Sequence, residues 1–333
     1  MITMSDDTTI KAVKLKKWFP VRTGFFETLL SRRTSFVRAV DEVSFDIKAG
    51  EVYGLAGESG SGKTTTGRLL LKLTHPTSGQ IYFKGRDITK LPEKEVKQLR
   101  RKMQIVFQDP YESLNPRMTI HDIVAEGLHA QKLVESEKEA NEKITEVLTD
   151  VELVPPEEFL LRYPHELSGG QRQRVAVARA FVLDPEFIVA DEPVSMLDVS
   201  IRAEILNLML DLTEKFKVSF LYITHDVALA RHMCNRLAVM YLGKIMEMGE
   251  VEKIVYEPLH PYTKALIAAV PVPDPTSRRT KSIVKGEIPS PIDPPPGCRF
   301  QTRCPIVEEK CHQIEPELIS VGKEHYVACH KAT

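Results

Sequence analysis

Residues 57–64 read GESGSGKT, a match to G-x-x-x-x-G-K-[ST]. The flanking sequence decides what the match means. Residues 36–56, FVRAVDEVSFDIKAGEVYGLA, alternate apolar side chains at Val43, Phe45 and Ile47, turn at Gly50, and run apolar into Gly57. After Lys63 the chain reads TTTGRLLLKL, a helical stretch. A glycine-rich loop between a strand and a helix lets successive backbone N–H groups turn around phosphate oxygens, with the positive helix end behind them. Gly57, Glu58, Ser59, Gly60, Ser61, Gly62, Lys63, Thr64 and Thr65 are therefore read as a nucleotide-binding loop. Lys63 reaches the β- and γ-phosphates, and the Thr64 hydroxyl ligates Mg²⁺.

Such a loop needs an acid at the end of another strand to organise the metal. FIVADEP supplies Asp191 there, followed by Glu192, which is placed to polarise an attacking water. VSFLYITHD at 218–226 repeats the apolar run closing on polar residues, and SGQIYFKGRDI reads as a hairpin. Residues 118–153, rich in Glu, Lys and Ala, read as helices. Apolar strands alternating with helices predict an α/β fold, its parallel sheet covered on both faces.

Composition narrows the function. The chain has 333 residues, 42% hydrophobic and 27% charged, with a net charge of -1, enough for a large domain and a smaller one. A near-neutral balance argues against a nucleic-acid partner. No apolar run reaches the roughly 18–20 residues that cross a bilayer, and the start, MITMSDDTTIKAVKLKK, lacks a signal-peptide core. The expected location is cytoplasmic, with any membrane work done by docking onto other proteins.

A second glycine-rich loop, LSGGQ at 167–171, lies between the first loop and the Asp191 strand. In that place it resembles the signature sequence of the ABC ATPase family. Gln108 in IVFQDP is similar to the family's Q-loop glutamine, SMLD ending at Asp198 to its D-loop, and His225 in ITHD to its switch histidine. Met196 stands where the family usually has Ala, a departure without expected catalytic consequence. The resemblance implies a P-loop ABC nucleotide-binding domain, with a RecA-like core and antiparallel β and helical subdomains. It implies head-to-tail pairing, each ATP held between one P-loop and the partner's Ser168, Gly169, Gly170 and Gln171. It also implies Mg²⁺ at Thr64, Gln108 and Asp191, Glu192 as the base that orients water, and His225 at the γ-phosphate. Gln108 would couple the site to a membrane partner. Tyr111, Leu114 and Met118 line a docking groove or belong to the helical subdomain's core. Adenine stacking falls to Phe19 or Trp18 in KKWFP, or to Phe36, because an insertion over residues 20–35 blurs the register.

Composition changes near residue 271. From Pro271 to Gly297 the chain holds 8 of its 22 prolines, an extended connection. EPLHPYTKALIAAVP (257–271) and GCRFQTRCPIVEEKC (297–311) resemble the C-terminal extension of oligopeptide/dipeptide importer ATPases, and KKWFPVR resembles the second of the paired subunits. The expected boundaries are 1–256 for the cassette, with a helical subdomain at about 109–182, and 257–333 for a small Cys-rich extension. The implied partners are a paralogous ATPase, two transmembrane permease subunits and an extracellular or periplasmic substrate-binding protein, which places the chain peripherally on the cytoplasmic membrane face.

Cys298, Cys304, Cys311 and Cys329 crowd the last 36 residues, a pattern that in a reducing compartment points to metal rather than disulfides. Four thiolates suit zinc or a [4Fe–4S] cluster. Their intervals exceed the usual zinc knuckle, and some members of the importer branch carry a cluster at matching cysteines, so the cluster is favoured and zinc is the alternative. Cys234 is read as a small buried residue, and His260 in LHPYTKAL has no catalytic context. Other cargoes (nickel, oligosaccharide), a non-transport ABC protein and an iron–sulfur redox protein that merely binds ATP are the competing readings. The last leaves LSGGQ unused, and the non-transport types usually carry two cassettes or a long coiled coil, neither of which is present.

Overall fold

The computed structural model describes residues 7–21, 35–270, 287 and 289–332. Most of the expected insertion (22–34) and of the proline-rich connection (271–286 and 288) lies outside the described residues.

Twelve strands are present among the described residues: β1 (Thr8–Pro20), β2 (Phe36–Lys48), β3 (Val52–Ala56), β4 (Ser78–Phe83), β5 (Arg86–Asp87), β6 (Met103–Val106), β7 (Phe187–Asp191), β8 (Ser219–Thr224), β9 (Arg236–Tyr241), β10 (Lys244–Glu250), β11 (Ile319–Gly322) and β12 (His325–Val327). The chain divides into two compact units, one drawn from 1–9, 47–51 and 90–222, the other from 10–46, 52–89 and 223–333.

In the first unit β6 runs parallel to β7, pairing Met103 with Phe187 and Val106 with Ala190. Every residue of β7 and β8 is buried, as expected of strands covered on both faces. The helices follow from apolar spacing and caps. In Ile120–Gln131 the buried side chains are Ile120, Ile123, Val124 and Leu128, and the Thr119 hydroxyl caps the start by accepting from Asp122 N. Glu137–Asp150 buries Ala140, Ile144, Val147 and Leu148 behind a Ser136 cap. Each fully buried Leu or Ile contributes about 1.5–3 kcal/mol.

The second unit contains a four-stranded sheet in the order β2-β1-β4-β5, with β1 antiparallel to β4. In the same unit β3, wholly buried, runs parallel to β9. Beyond β9 the pairing turns antiparallel, from β9 to β10, β10 to β12 and β12 to β11. The expectation of a parallel sheet thus holds for β3 with β9 and β6 with β7, and the C-terminal extension adds an antiparallel margin. Cys234 is buried, and a Cβ on Gly54 would stand 2.8 Å from its sulfur, so it is the small core residue expected.

Candidate nucleotide site

The loop after β3 enters the helix Lys63–Leu70 through Gly62, which caps it in the left-handed region at φ 107° with no side-chain cap. A Cβ there would lie 2.1 Å from the Ala39 carbonyl oxygen, so only glycine fits. The first N–H groups of this helix therefore have no side chain of the capping residue to satisfy them. Lys63 is buried, and its ammonium donates to the carbonyls of Gly57 (2.7 Å) and Glu58 (3.0 Å). The Ser61 hydroxyl is also buried and has no hydrogen-bond partner among the described residues. A loop with a lysine curled over it and an orphaned hydroxyl inside suits a polyanion.

Glu58 is tied down on three sides. Its backbone N–H donates to the Tyr262 hydroxyl (2.9 Å) and its carbonyl accepts from Lys63. Its carboxylate receives both terminal nitrogens of Arg303, at 2.7 and 3.2 Å. That pairing pushes the Arg303 pKa upward. These contacts span 204 and 245 residues of sequence, so no local pattern announces them.

In the first unit Asp191 is buried at the end of β7. Glu192 follows in the left-handed region at φ 48°, uncommon for a residue with a side chain. Gln108, separated from the end of β6 by Phe107, donates from Nε2 to Glu192 Oε2 at 3.4 Å. The expected Q-loop glutamine and expected base are thus brought together. Leu114 is core, whereas Tyr111 is exposed beneath the Arg172 guanidinium, 4.1 Å from the ring centroid, so the groove reading does not extend to Leu114.

The signature loop opens the helix Gly169–Phe181. Ser168 accepts from Gln171 N through its hydroxyl, and Gln171 Oε1 accepts from Ser168 N, a reciprocal capping box. The S-x-x-Q spacing announces this box in the sequence, so the serine and glutamine have a structural task at the helix end they were expected to present. Asp198, exposed, precedes the helix Val199–Phe216, and a Cβ on Gly170 would lie 2.7 Å from an Ile201 methyl of that helix.

In the second unit His225 is exposed between β8 and the Asp226-capped helix Val227–Met233. Trp18 donates from its indole N–H to Asp41 (3.2 Å), and the Arg38 guanidinium lies 4.6 Å from its ring centroid. Phe19, 40% exposed, likewise carries a cation, the Lys17 ammonium 4.9 Å from its ring centroid.

The extension is anchored by a buried carboxylate. Glu247 accepts from the backbone N–H groups of Leu259 and His260 and from His325 Nε2 (2.8 Å). His260, whose Nδ1 accepts from Tyr262 N, is held neutral by burial, its pKa lowered to about 3. Sequence reasoning missed this joint. Cys298, Cys304, Cys311 and Cys329 all line one cavity, with His260 and Phe300. Gly297, at φ 85°, lets this segment pass so near Cys311 that a Cβ would be 2.2 Å from its carbonyl oxygen. Burial pushes the Cys298 thiol up to about 12, and the other three cysteines add to the shift. The metal centre expected from the four cysteines is nonetheless not a formed ligand set. Among the described residues no group of three or more His, Cys, Asp or Glu is arranged to hold a metal ion. The thiols converge on one space without closing around one point.

No helix among the described residues is long and apolar enough to cross a membrane. The ABC transporter family model matches residues 40–195, and the model described as the oligopeptide/dipeptide transporter C-terminal region matches 246–311. The oligopeptide transport ATP-binding protein AppF of Bacillus subtilis is 47% identical over 333 residues, covering 99% of both chains. A putative peptide import ATP-binding protein of Brucella ovis is 50% identical over 297 residues, 89% of this chain and 93% of the relative. Among solved structures, the dimeric post-hydrolysis cassette MJ0796 bound to ADP and Pi matches at TM-score 0.63 and 30% identity, over 73% of this chain and 98% of that one. CbiO1 from Clostridium perfringens matches at TM-score 0.64 and 26% identity, over 75% of this chain and 92% of that one. With the phosphate loop, the Gln108–Glu192 pair and the capped signature helix in place, the chain belongs to the ATP-hydrolysing ABC transporter family, in the branch that carries the oligopeptide/dipeptide transporter C-terminal region.

Proposed function

We propose that this chain is the ATPase subunit driving an importer of oligopeptides or dipeptides, bound peripherally to the cytoplasmic membrane face. The observation that carries the reading is full-length likeness to a named oligopeptide transport ATP-binding protein, extension included. Its partners are two permease subunits, a substrate-binding protein outside the membrane and a paralogous ATPase. The cassette takes residues 1–256, with the helical subdomain at about 109–182, and the extension takes 257–333.

Residues 57–65 hold the triphosphate, with Lys63 at its β- and γ-oxygens and Phe19 on the adenine. Thr64, Gln108 and Asp191 hold Mg²⁺, which neutralises charge on the phosphates. Glu192 takes the proton of the attacking water, oriented by Gln108, and His225 contacts the γ-phosphate. Ser168, Gly169, Gly170 and Gln171 face the ATP of the second subunit, with Asp198 at the same junction. The four cysteines hold a [4Fe–4S] cluster. Supporting this, all four thiols line one cavity, in which ionising Cys298 is costly without a cation. Zinc is the alternative, its usual knuckle being shorter than the intervals between these cysteines.

Purification of the assembly from membranes without oxygen tests the whole reading. The expected result is co-purifying permease subunits, a second ATPase, and about four irons with matching sulfide per four-cysteine tail. A partnerless soluble chain would overturn the importer role, and about one zinc without sulfide would overturn the cluster.

A further inference from the structure

An acid is an awkward residue at the second position of a loop that binds a triphosphate. Glu58 sits there, directly after Gly57, and a free carboxylate beside polyanionic phosphates costs affinity by like-charge repulsion. The fold answers this from far along the chain. Arg303, on the segment between Cys298 and Cys304, meets Glu58 through two parallel hydrogen bonds of 2.7 and 3.2 Å, the geometry in which arginine pairs best with carboxylate. Its guanidinium also lies over the rings of Tyr241 and Phe300, 5.8 and 5.9 Å from their centroids, so it is oriented before any ligand arrives. Tyr262, fully buried, takes the Glu58 N–H. The loop's first limb is thus fixed by two residues of the C-terminal extension.

We infer that Arg303 is a positioning residue of the phosphate site: it cancels the charge of Glu58 and holds that carboxylate in place, while Tyr262 fixes the Glu58 N–H. The extension is then part of the nucleotide site, in addition to any role of its cysteines. The inference rests on the nucleotide reading of residues 57–65.

The test is MgATP affinity of the full chain, with ATP turnover of the assembled importer measured in parallel. Arg303→Gln is expected to weaken affinity and raise KM about tenfold, with turnover at saturating ATP little changed. Glu58→Gln alone, which removes the carboxylate but keeps the N–H bonded to Tyr262, is the reference for the double variant. Glu58→Gln combined with Arg303→Gln is expected to regain most of the lost affinity, because the charge that needed cancelling is gone. Arg303→Lys, which keeps the charge but not the fork, is expected to fall between wild type and Arg303→Gln.

A double variant as weak as Arg303→Gln would overturn the inference and leave only a structural role. So would Arg303→Gln with unchanged affinity. If Arg303→Gln fails to fold, an Arg303→Lys affinity equal to wild type still overturns it. Failure of the wild-type chain to bind MgATP is a separate result, which would overturn the nucleotide reading itself and the inference with it.

Discussion

The two glycine-rich loops carry similar letters and are built in opposite ways. At the phosphate loop the capping residue is Gly62, without a side chain, and the neighbouring lysine folds over the loop's own carbonyls. At the signature loop Ser168 and Gln171 close a capping box on their own backbone. The first is held from outside, by Arg303 and Tyr262, and has no side-chain cap at its helix end. The second satisfies part of its own helix end and needs no distant support. The phosphate loop is fixed by tertiary contacts, whereas the signature loop is stiffened by its own cap.

The sharpest test of this contrast is Lys63→Ala. It removes the cation that folds over the loop, and nucleotide affinity is expected to fall by about two orders of magnitude or more in equilibrium binding. Retention of binding would mean that backbone donors alone hold the phosphates. Next in size is Glu192→Gln. It is expected to slow turnover roughly a hundredfold or more while MgATP still binds and the ATP-bound dimer accumulates. Hydrolysis at the wild-type rate would remove Glu192 from the role of base. The smallest effect belongs to the signature loop. Ser168→Ala removes a cap worth about 1 kcal/mol and is expected to lower the melting temperature by roughly 2 °C, with Ser168→Asp restoring it. If Ser168→Ala instead melted like wild type, the locally stiffened picture of this loop would fail.

Much of the site is written in short-range sequence. G-x-x-x-x-G-K-T after a strand, the acid pair closing β7, and the histidine closing β8 each sit where the apolar run ends, and the strands are buried along their whole length. Even the capping box was legible, since S-x-x-Q states it. What could not be read is what depends on remote pairing. Glu58 gives no sign of needing Arg303, and Glu247 looks like one more charged residue in KIMEMGE until His325 arrives beside it. The antiparallel margin β10, β12 and β11 escaped for a related reason: β11 and β12 are short, and although β11 pairs locally with β12, the register of β12 is set by β10, more than 70 residues away. Trp18 was a plausible base-stacking ring by type alone, and only packing places Arg38 on it. The four cysteines announced their convergence by number, but whether they close around an ion depends on spacing that the sequence does not fix.

The joint at His260 has a consequence in proton linkage. Its Nδ1 must stay unprotonated to accept from Tyr262 N, and burial lowers its pKa from 6.5 to about 3. The unfolded chain therefore takes up this proton first as acidity rises. The contribution of His260 to stability is complete above about pH 6.5 and drains away as pH falls toward 3. Because the folded imidazole stays neutral down to about pH 3, Tyr262, whose N–H it accepts and whose hydroxyl takes the Glu58 N–H, keeps its place in mild acid, which acts on the fold as a whole and not on the glycine-rich loop alone.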